Sequence, residues 1–559
     1  MGVMEMPTQI TAPIRARLDL LSRRCGDQAG YLDAGSGRIL TWSEAARQAA
    51  DWAAQLAPGT VVALHVASPV AFCRAYLAGL AAGVCVAPLD PRGTAEELGR
   101  MLDYLEAADV VVDDEEGAAQ LASSGVSVWV TSATGLRPAQ RGTCARRGAP
   151  GIAALLPTSG TTGTPKLVPL TEGQLLRVAA RIAGHHGLTA QDRGYSPLPL
   201  FHVNAQVVGV LSTLVTGGSL VVDERFHGSR FWTAADELRV TWLNLVPAIL
   251  GILGEGPAPT ATIARRVRFA RSASAPLPAA VQERFEARSG IGVLETYGMT
   301  EGASQVAANP LSRSERQPGS AGLPVGVTVR IVGEDGDELP ADQIGSVEIR
   351  GRDVIDFYLG PGRRPIPARD TDGWLRTGDL ARRDPRGFLY LAGRSDDVIN
   401  RGGEKFHPRE IEEVLLANPR VRTAAVVGRP HRLLGQESVA YVVPDPEPVA
   451  AGATELAAEL LDQCRRVLSP HKQPASVIVL DALPAGPTGK PNRRALRVLA
   501  AGERADSWAQ AAAKHAIKHL AAGTSDRQRN EGDNAHEDQL AQHPPSQREA
   551  APARTHARH

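Results

Sequence analysis

An excess of charge of either sign is missing from this chain of 559 residues: 61 lysines and arginines stand against 61 aspartates and glutamates. With no overall field, attraction to nucleic acid or to an acidic membrane surface is not expected, and no nucleic-acid partner is predicted. Cysteine is scarce as well. The five, at 25, 73, 85, 144 and 464, are odd in number, widely spaced and form no CxxC pair. That excludes a disulfide framework and points to a reducing, cytoplasmic compartment. Long hydrophobic runs are also lacking. Residues 75–89 form the longest, but glycines interrupt it and it falls short of the roughly 18 residues that suggest a membrane span. It reads instead as a buried helix followed by a strand. The first residues include Glu5 and Pro7 where a secretory leader would place basic and then apolar residues, so no leader is expected.

A chain of this length cannot be served by one core, and at least two domains are predicted. Between residues 61 and 332, β-branched runs such as Val61-Val-Ala-Leu-His-Val66 alternate with amphipathic stretches such as 71–81 and 279–289. This is α/β patterning. The run Gly292-Val-Leu-Glu295 leads to an expected loop at Thr296-Tyr-Gly-Met-Thr-Glu301, and loops after strands are where such folds keep their ligands. From Gly345 the pattern changes to short strands and tight turns, at 346–350, 373–375 and 387–391, which predicts a small β-rich subdomain. After Gly393 follows a segment with its own helices, at 408–416 and 454–468, and strands near Ala424 and Ser476. The predicted division is therefore 1–393, 394–500 and an extension 501–559. Beyond about residue 524 the extension is polar and nearly free of large apolar residues, so disorder is expected there.

What the sequence does have is a phosphate cradle. In Leu156-Pro-Thr-Ser-Gly-Thr-Thr-Gly-Thr-Pro-Lys166, Gly160 and Gly163 let backbone N–H groups approach an anion. Thr158, Ser159, Thr161 and Thr162 add hydroxyls, and Lys166 adds a mobile positive charge. The spacing does not fit the Walker pattern. Apolar runs at 152–156 and 167–170 bracket the loop, and Thr171-Glu-Gly-Gln174 offers a capping box for a following helix. A strand-bounded phosphate loop is predicted.

Five further segments follow in order: Pro199-Leu-Phe-His-Val203, Tyr297-Gly-Met-Thr-Glu301, Thr377-Gly-Asp-Leu380, the stretch from Gly393-Arg-Ser-Asp-Asp397 to Asn400-Arg-Gly-Gly-Glu-Lys405, and Pro487-Thr-Gly-Lys-Pro-Asn-Arg493. With the phosphate loop, they resemble the adenylate-forming superfamily of acyl-CoA synthetases, firefly-type luciferases and peptide-synthetase adenylation domains. The resemblance spans about residues 30 to 500. It implies a large N-terminal domain of α/β subdomains with a β-rich subdomain, and a small mobile α+β C-terminal domain. It also implies a two-step reaction, in which a carboxylate attacks the α-phosphorus of ATP to give acyl-AMP and pyrophosphate, and a thiol then attacks the activated carbonyl.

Residue by residue, the resemblance gives Thr158 to Gly163 and Lys166 to the triphosphate, Thr300 to the α-phosphate and Glu301 to Mg²⁺. Tyr297 offers a face to adenine, with Ala275 in Ala273-Ser-Ala-Pro276 along the other edge. Asp379 can accept both ribose hydroxyls and Arg394 can reach the same sugar. Lys490 follows a turn-forming Pro-Thr-Gly and can present its ammonium to the reacting carboxylate, a charge stabilisation that often carries the largest share of catalysis. Asp396 matches the hinge between the domains, and Gly402 and Gly403, on a strand with Arg401, line the tunnel for pantetheine.

His202 stands where enzymes for α-amino acids commonly carry an aspartate that pairs with the substrate ammonium. The departure points to a simple carboxylate, with the imidazole lining the acyl pocket. Phe201-His-Val203, Arg271-Ser-Ala-Ser274 and Asn400 to Lys405 look most like the 4-coumarate:CoA and oxalate:CoA ligase relatives. In the latter a histidine is expected soon after the Met-Thr-Glu segment, whereas this chain reads Glu301-Gly-Ala-Ser304, which speaks against oxalate. The expected function is CoA thioester formation from a small or medium acid, with Mg²⁺ as cofactor. Loading of a phosphopantetheinyl carrier protein is the alternative. A catalytically silent binding protein would require loss of Lys490, Asp379 or Glu301, and all three are present.

Overall fold

The structure, a computed structural model, describes residues 12–121, 124–142, 148–158, 166–445, 452–485 and 490–502. The chain through Arg493 forms one compact unit. A second unit begins at Arg494, and its described residues, 494–502, are mostly helical. The strands described fall into four sheets.

The first unit holds a large N-terminal α/β domain and a small C-terminal domain of one sheet and helices. One nine-stranded sheet runs through Ser304–Ala308, Val293–Met299, Ala270–Ser272, Trp242–Leu245 and Arg193–Ser196, with parallel pairing at its centre. The other carries Lys166–Leu170, Ala154–Thr158, Cys85–Pro88 and Val61–His65. Apolar strands such as Val61–His65 are buried on both faces, as parallel strands covered by helices must be. The helix Pro69–Ala82 fits the same logic, with a proline in its first turn and Gly83 closing it at φ 74°. It is buried along most of its length, and a Cβ on Gly79 would stand 2.6 Å from Val86 Cγ1, so only glycine fits there. Trp42 and Trp52, fully buried in the same core, each contribute about 2 to 3 kcal/mol by transfer from water.

The β-rich part is a four-stranded antiparallel sheet of Thr328–Val332, Gly345–Arg350, Leu375–Arg383 and Leu389–Arg394. Its last two strands run longer than the patterns at 373–375 and 387–391 predict, because the ladder carries Asp379 opposite Arg394 through the polar Thr-Gly-Asp stretch. A five-stranded sheet follows, with the helices Pro408–Leu416 and Ala453–Val467 packed on it around a core of its own. Two expectations are corrected. The strand Val293–Met299 does not end at Glu295; pairing with Ser304–Ala308 draws Thr296 to Met299 into the sheet. Gly402 and Gly403 are not on a strand but form the turn between Ile399–Arg401 and Glu404–Phe406, at φ 65° and 94°, values that favour glycine.

Candidate active site

The strands Ala154–Thr158 and Lys166–Leu170 pair antiparallel with Thr158 opposite Lys166, so the predicted phosphate loop leaves and returns at one point. Thr158 Oγ1 donates to the Lys166 carbonyl at 3.2 Å. Ser159, Gly160, Thr161, Thr162 and Gly163 lie outside the described residues. The Lys166 ammonium stands 4.9 Å from the centre of the Tyr358 ring, a cation–π contact. Tyr358 in turn donates its hydroxyl to Glu301 Oε1 at 3.0 Å. Loop base and Glu301 are thereby joined through one aromatic side chain, which no local sequence signal announced.

Thr300 and Glu301 sit on a single 3₁₀ turn, Thr300–Gly302, at the end of Val293–Met299. The turn is held from outside by Ile355, whose N–H donates to the Glu301 carbonyl at 2.9 Å. Burial raises the Glu301 carboxyl above its ordinary pKa, against the hydrogen bonds it accepts. One strand turn earlier, buried Tyr297 donates its hydroxyl to Asp379 Oδ2 at 2.5 Å. Asp379 Oδ1 accepts from Arg394 Nη1 at 3.1 Å, and the Asp379 N–H is fixed by Thr377 Oγ1 at 3.0 Å. Burial pushes the Asp379 carboxyl up, while Arg394, Tyr297 and Lys490 oppose the shift. Ala275 lies half-buried in the bend after Ala270–Ser272, next to Ser274 at φ 72°.

Lys490 is exposed as a residue, yet desolvation of its ammonium lowers its pKa, with Asp379 raising it and Arg394 lowering it. The residues before it, Pro487 to Gly489, lie outside the described residues. The same ammonium acts on His202. Burial first, then Lys490, push that imidazole down to about 4, with Asp90 working in the other direction. His202 is therefore neutral at pH 7. Its ring centre is 4.3 Å from that of Phe201, and its Nε2 is buried without a partner. Phe201 is covered by Arg92, whose guanidinium grips Asp90 through Nε and Nη2 at 2.8 Å each. Neither Asp90 nor Arg92 belongs to a segment the sequence singled out.

Immediately after His202 the chain forms a π-helix, Asn204–Leu211, wholly buried. An i→i+5 helix of this kind frequently marks a functional site, and its apolar sequence gives no sign of it. Its first side chain, Asn204, reaches Arg271.

Tyr297, Asp379, Arg394, Lys490 and His202 are thus linked by contact or by electrostatic reach, and Glu301 joins them through its influence on Asp379. Asp396 lies elsewhere, on the 3₁₀ turn Ser395–Asp397 that leaves the β-rich sheet. Next to it, Asp397 pairs with Arg493 at 3.4 Å. Gly402 and Gly403 are exposed, and their turn is pinned by Gly402 N–H to Leu434 O at 2.8 Å and Gly403 N–H to Asn400 Oδ1 at 3.0 Å.

Comparison with known proteins gives the family. The AMP-binding enzyme family matches residues 21–359, and the AMP-binding enzyme C-terminal domain matches 410–490. The sulfoacetate–CoA ligase of Cupriavidus necator is 37% identical over 484 residues, covering 84% of this chain and 94% of the relative. The oxalate–CoA ligase of Arabidopsis thaliana is 33% identical over 79% of this chain and 88% of its own. Among solved structures, o-succinylbenzoate CoA synthetase of Bacillus subtilis, in complex with its acyl-adenylate intermediate, superposes with a TM-score of 0.73 at 27% identity, over 87% of this chain and 98% of that one. The chain belongs to the AMP-binding enzyme family and, within it, to the AMP-forming acid–thiol ligases of the acyl-CoA synthetase branch.

Proposed function

We propose that this enzyme activates a small or medium organic acid with ATP to an acyl adenylate, releases pyrophosphate, and transfers the acyl group to coenzyme A. The observation that carries the site assignment is the convergence on Asp379. Tyr297 and Arg394 hold its carboxylate from two sides, and the Lys490 ammonium lies within electrostatic reach of both Asp379 and His202. Asp379 and Arg394 take the ribose, Tyr297 the adenine, with Ala275 at its edge, Thr300 the α-phosphate, and Lys166 with the loop from Thr158 the outer phosphates. Lys490 stabilises negative charge as the carboxylate attacks. His202, neutral and apolar on its Phe201 side, lines the acyl pocket. Transfer to a carrier protein is not favoured, since the named relatives are CoA ligases.

Among the described residues no group of three His, Cys, Asp or Glu side chains could hold a resident metal. Glu301, a half-buried carboxylate, fits Mg²⁺ that arrives with the nucleotide, because that ion takes one or two carboxylates and completes its shell with phosphate oxygens and water. Bound there, it would neutralise charge on the phosphates.

The five-stranded sheet has its own core, and we place the domain boundary near residue 393, with Asp396 as the hinge of a mobile C-terminal domain. The Gly402–Gly403 turn then faces the pantetheine arm. No helix described is long and apolar enough to cross a membrane. Cys73, Cys85 and Cys464 are buried free thiols, which suits a cytoplasmic setting.

The test is a panel of carboxylic acids assayed for pyrophosphate release with and without CoA. Release that yields AMP and a CoA thioester is expected. ADP as product, or turnover that free CoA does not support, would remove this reading.

A further inference from the structure

Arg271 is 1% exposed, on the strand Ala270–Ser272 near the middle of a nine-stranded sheet. Its Nη1 donates to Asn204 Oδ1 and to Asn244 Oδ1, each at 3.0 Å. Both amides are themselves fixed, Asn204 Nδ2 by Ser274 Oγ and Asn244 Nδ2 by Ser196 Oγ, each at 3.1 Å. These partners orient the guanidinium but carry no charge.

Among the described residues no carboxylate pairs with Arg271, and its Nε is buried without a partner. The titratable groups it acts on are His185 and His186, whose ring nitrogens lie 3.0 Å apart. Burial first, and then Arg271, hold both below the usual histidine range, so they are neutral and supply no counter-charge. A desolvated guanidinium without a counter-charge is among the most costly groups a fold can keep, and its retention calls for an anion that arrives from outside.

The placement names the anion. Asn204, which holds Arg271, opens the π-helix two residues after His202, and the His202 imidazole feels Lys490. The strand Ser304–Ala308 packs on the same π-helix. It carries Gln305, 1% exposed, with neither amide atom partnered. Resting on the ligase reading above, we propose that Arg271 is the counter-ion for a second anionic group on the acid. The substrate class is then a short acid that carries a carboxylate or sulfonate at the end remote from the carboxylate that is adenylated. Arg271 is in this sense a specificity-determining residue, and Gln305 a further donor for the same group.

The experiment uses the full chain with ATP, Mg²⁺ and matched acids. Malonate, succinate and 3-sulfopropionate are set against monomethyl malonate, monomethyl succinate and 3-(methylsulfonyl)propionate, with pyrophosphate release as the readout. The charged acids are expected to exceed their neutral counterparts in kcat/KM by about 10²-fold or more. The carboxylate and sulfonate arms show which oxyanion the site takes. Arg271→Met is expected to bring the ratio close to one, while Arg271→Lys keeps part of it. Equal kcat/KM for charged and neutral acids in the unaltered enzyme overturns the proposal, as does a ratio that survives Arg271→Met. Should Arg271→Met fail to fold, the ratios of the unaltered enzyme and of Arg271→Lys decide. Absence of pyrophosphate release with every acid counts against the ligase reading itself, a result separate from equal use of both acid types.

Discussion

Two regions of the site are built on opposite terms. Around Asp379 the polar groups are closed on one another: Tyr297 and Arg394 hold the carboxylate, Thr377 fixes its N–H, and Tyr358 holds Glu301. Around the π-helix they are left open. His202 Nε2, Arg271 Nε, Gln206 Oε1 and both amide atoms of Gln305 are buried without partners. Unpartnered buried groups are rare in folded proteins and each calls for a cause. In our reading the closed region receives the nucleotide, the same for every turnover, and can be preorganised in full. The open region is completed by the acid. Specificity gained in this way costs stability, because buried polar atoms are kept away from water.

The largest effect is expected at Lys490, which bridges the two regions through Asp379 and His202. Its charge matters where negative charge develops, in adenylation. Lys490→Ala is expected to slow pyrophosphate release by about 10²- to 10³-fold. Thioester formation from a supplied acyl adenylate should be spared. Equal loss of both half-reactions would show that the lysine serves structure or binding throughout.

A smaller effect, confined to one region, is expected for Asp379→Asn. The amide oxygen still accepts from Tyr297, but Arg394 loses its charged partner. Charge-assisted hydrogen bonds are worth about 1.5 to 3 kcal/mol, so KM for ATP should rise roughly 10- to 100-fold. KM for the acid should stay within about twofold. A matching rise in both would erase the distinction between the regions.

The closed region was the legible one. Its residues lie in short contiguous segments, because a phosphate loop and a strand-end carboxylate need fixed residue types at fixed spacing. Local rules also carried the helix Ala279–Ser289 and the Thr171–Gln174 capping box, both found as predicted. The open region was legible only in part: His202 and Arg271 lay in segments the sequence singled out, but their surroundings are assembled by strand register, and Asn244 stands opposite Arg271 only because Trp242–Leu245 pairs with Ala270–Ser272. Asn244 inside the apolar strand Trp242–Leu245 was the signal available. The extension of Val293–Met299 was missed for a related reason, as Thr296-Tyr-Gly-Met299 reads as a loop and only its antiparallel partner makes it strand. Tyr358 reaches Glu301 across 57 residues of sequence, which no local pattern reports.

The smallest effect is in stability and tests the open region directly. The folded His202 imidazole is pushed down to about 4, against an ordinary 6.5. Between those values the unfolded chain binds the proton more readily, so stability is lost as pH falls from above 6.5 toward 4. His202→Gln removes that contribution. The variant should therefore lose less stability than the unaltered enzyme between pH 7 and pH 5, by on the order of 1 kcal/mol, read from denaturant unfolding at each pH. Because Lys490 is one cause of the shift, in a Lys490→Ala background the His202 pKa should rise and the acid-sensitive window should narrow from below. Parallel pH profiles with and without His202 would mean that the ring is hydrated and no part of a dry pocket. A window that ignores Lys490→Ala would leave burial alone to hold the imidazole neutral, and would uncouple the acyl side from the lysine that serves the nucleotide.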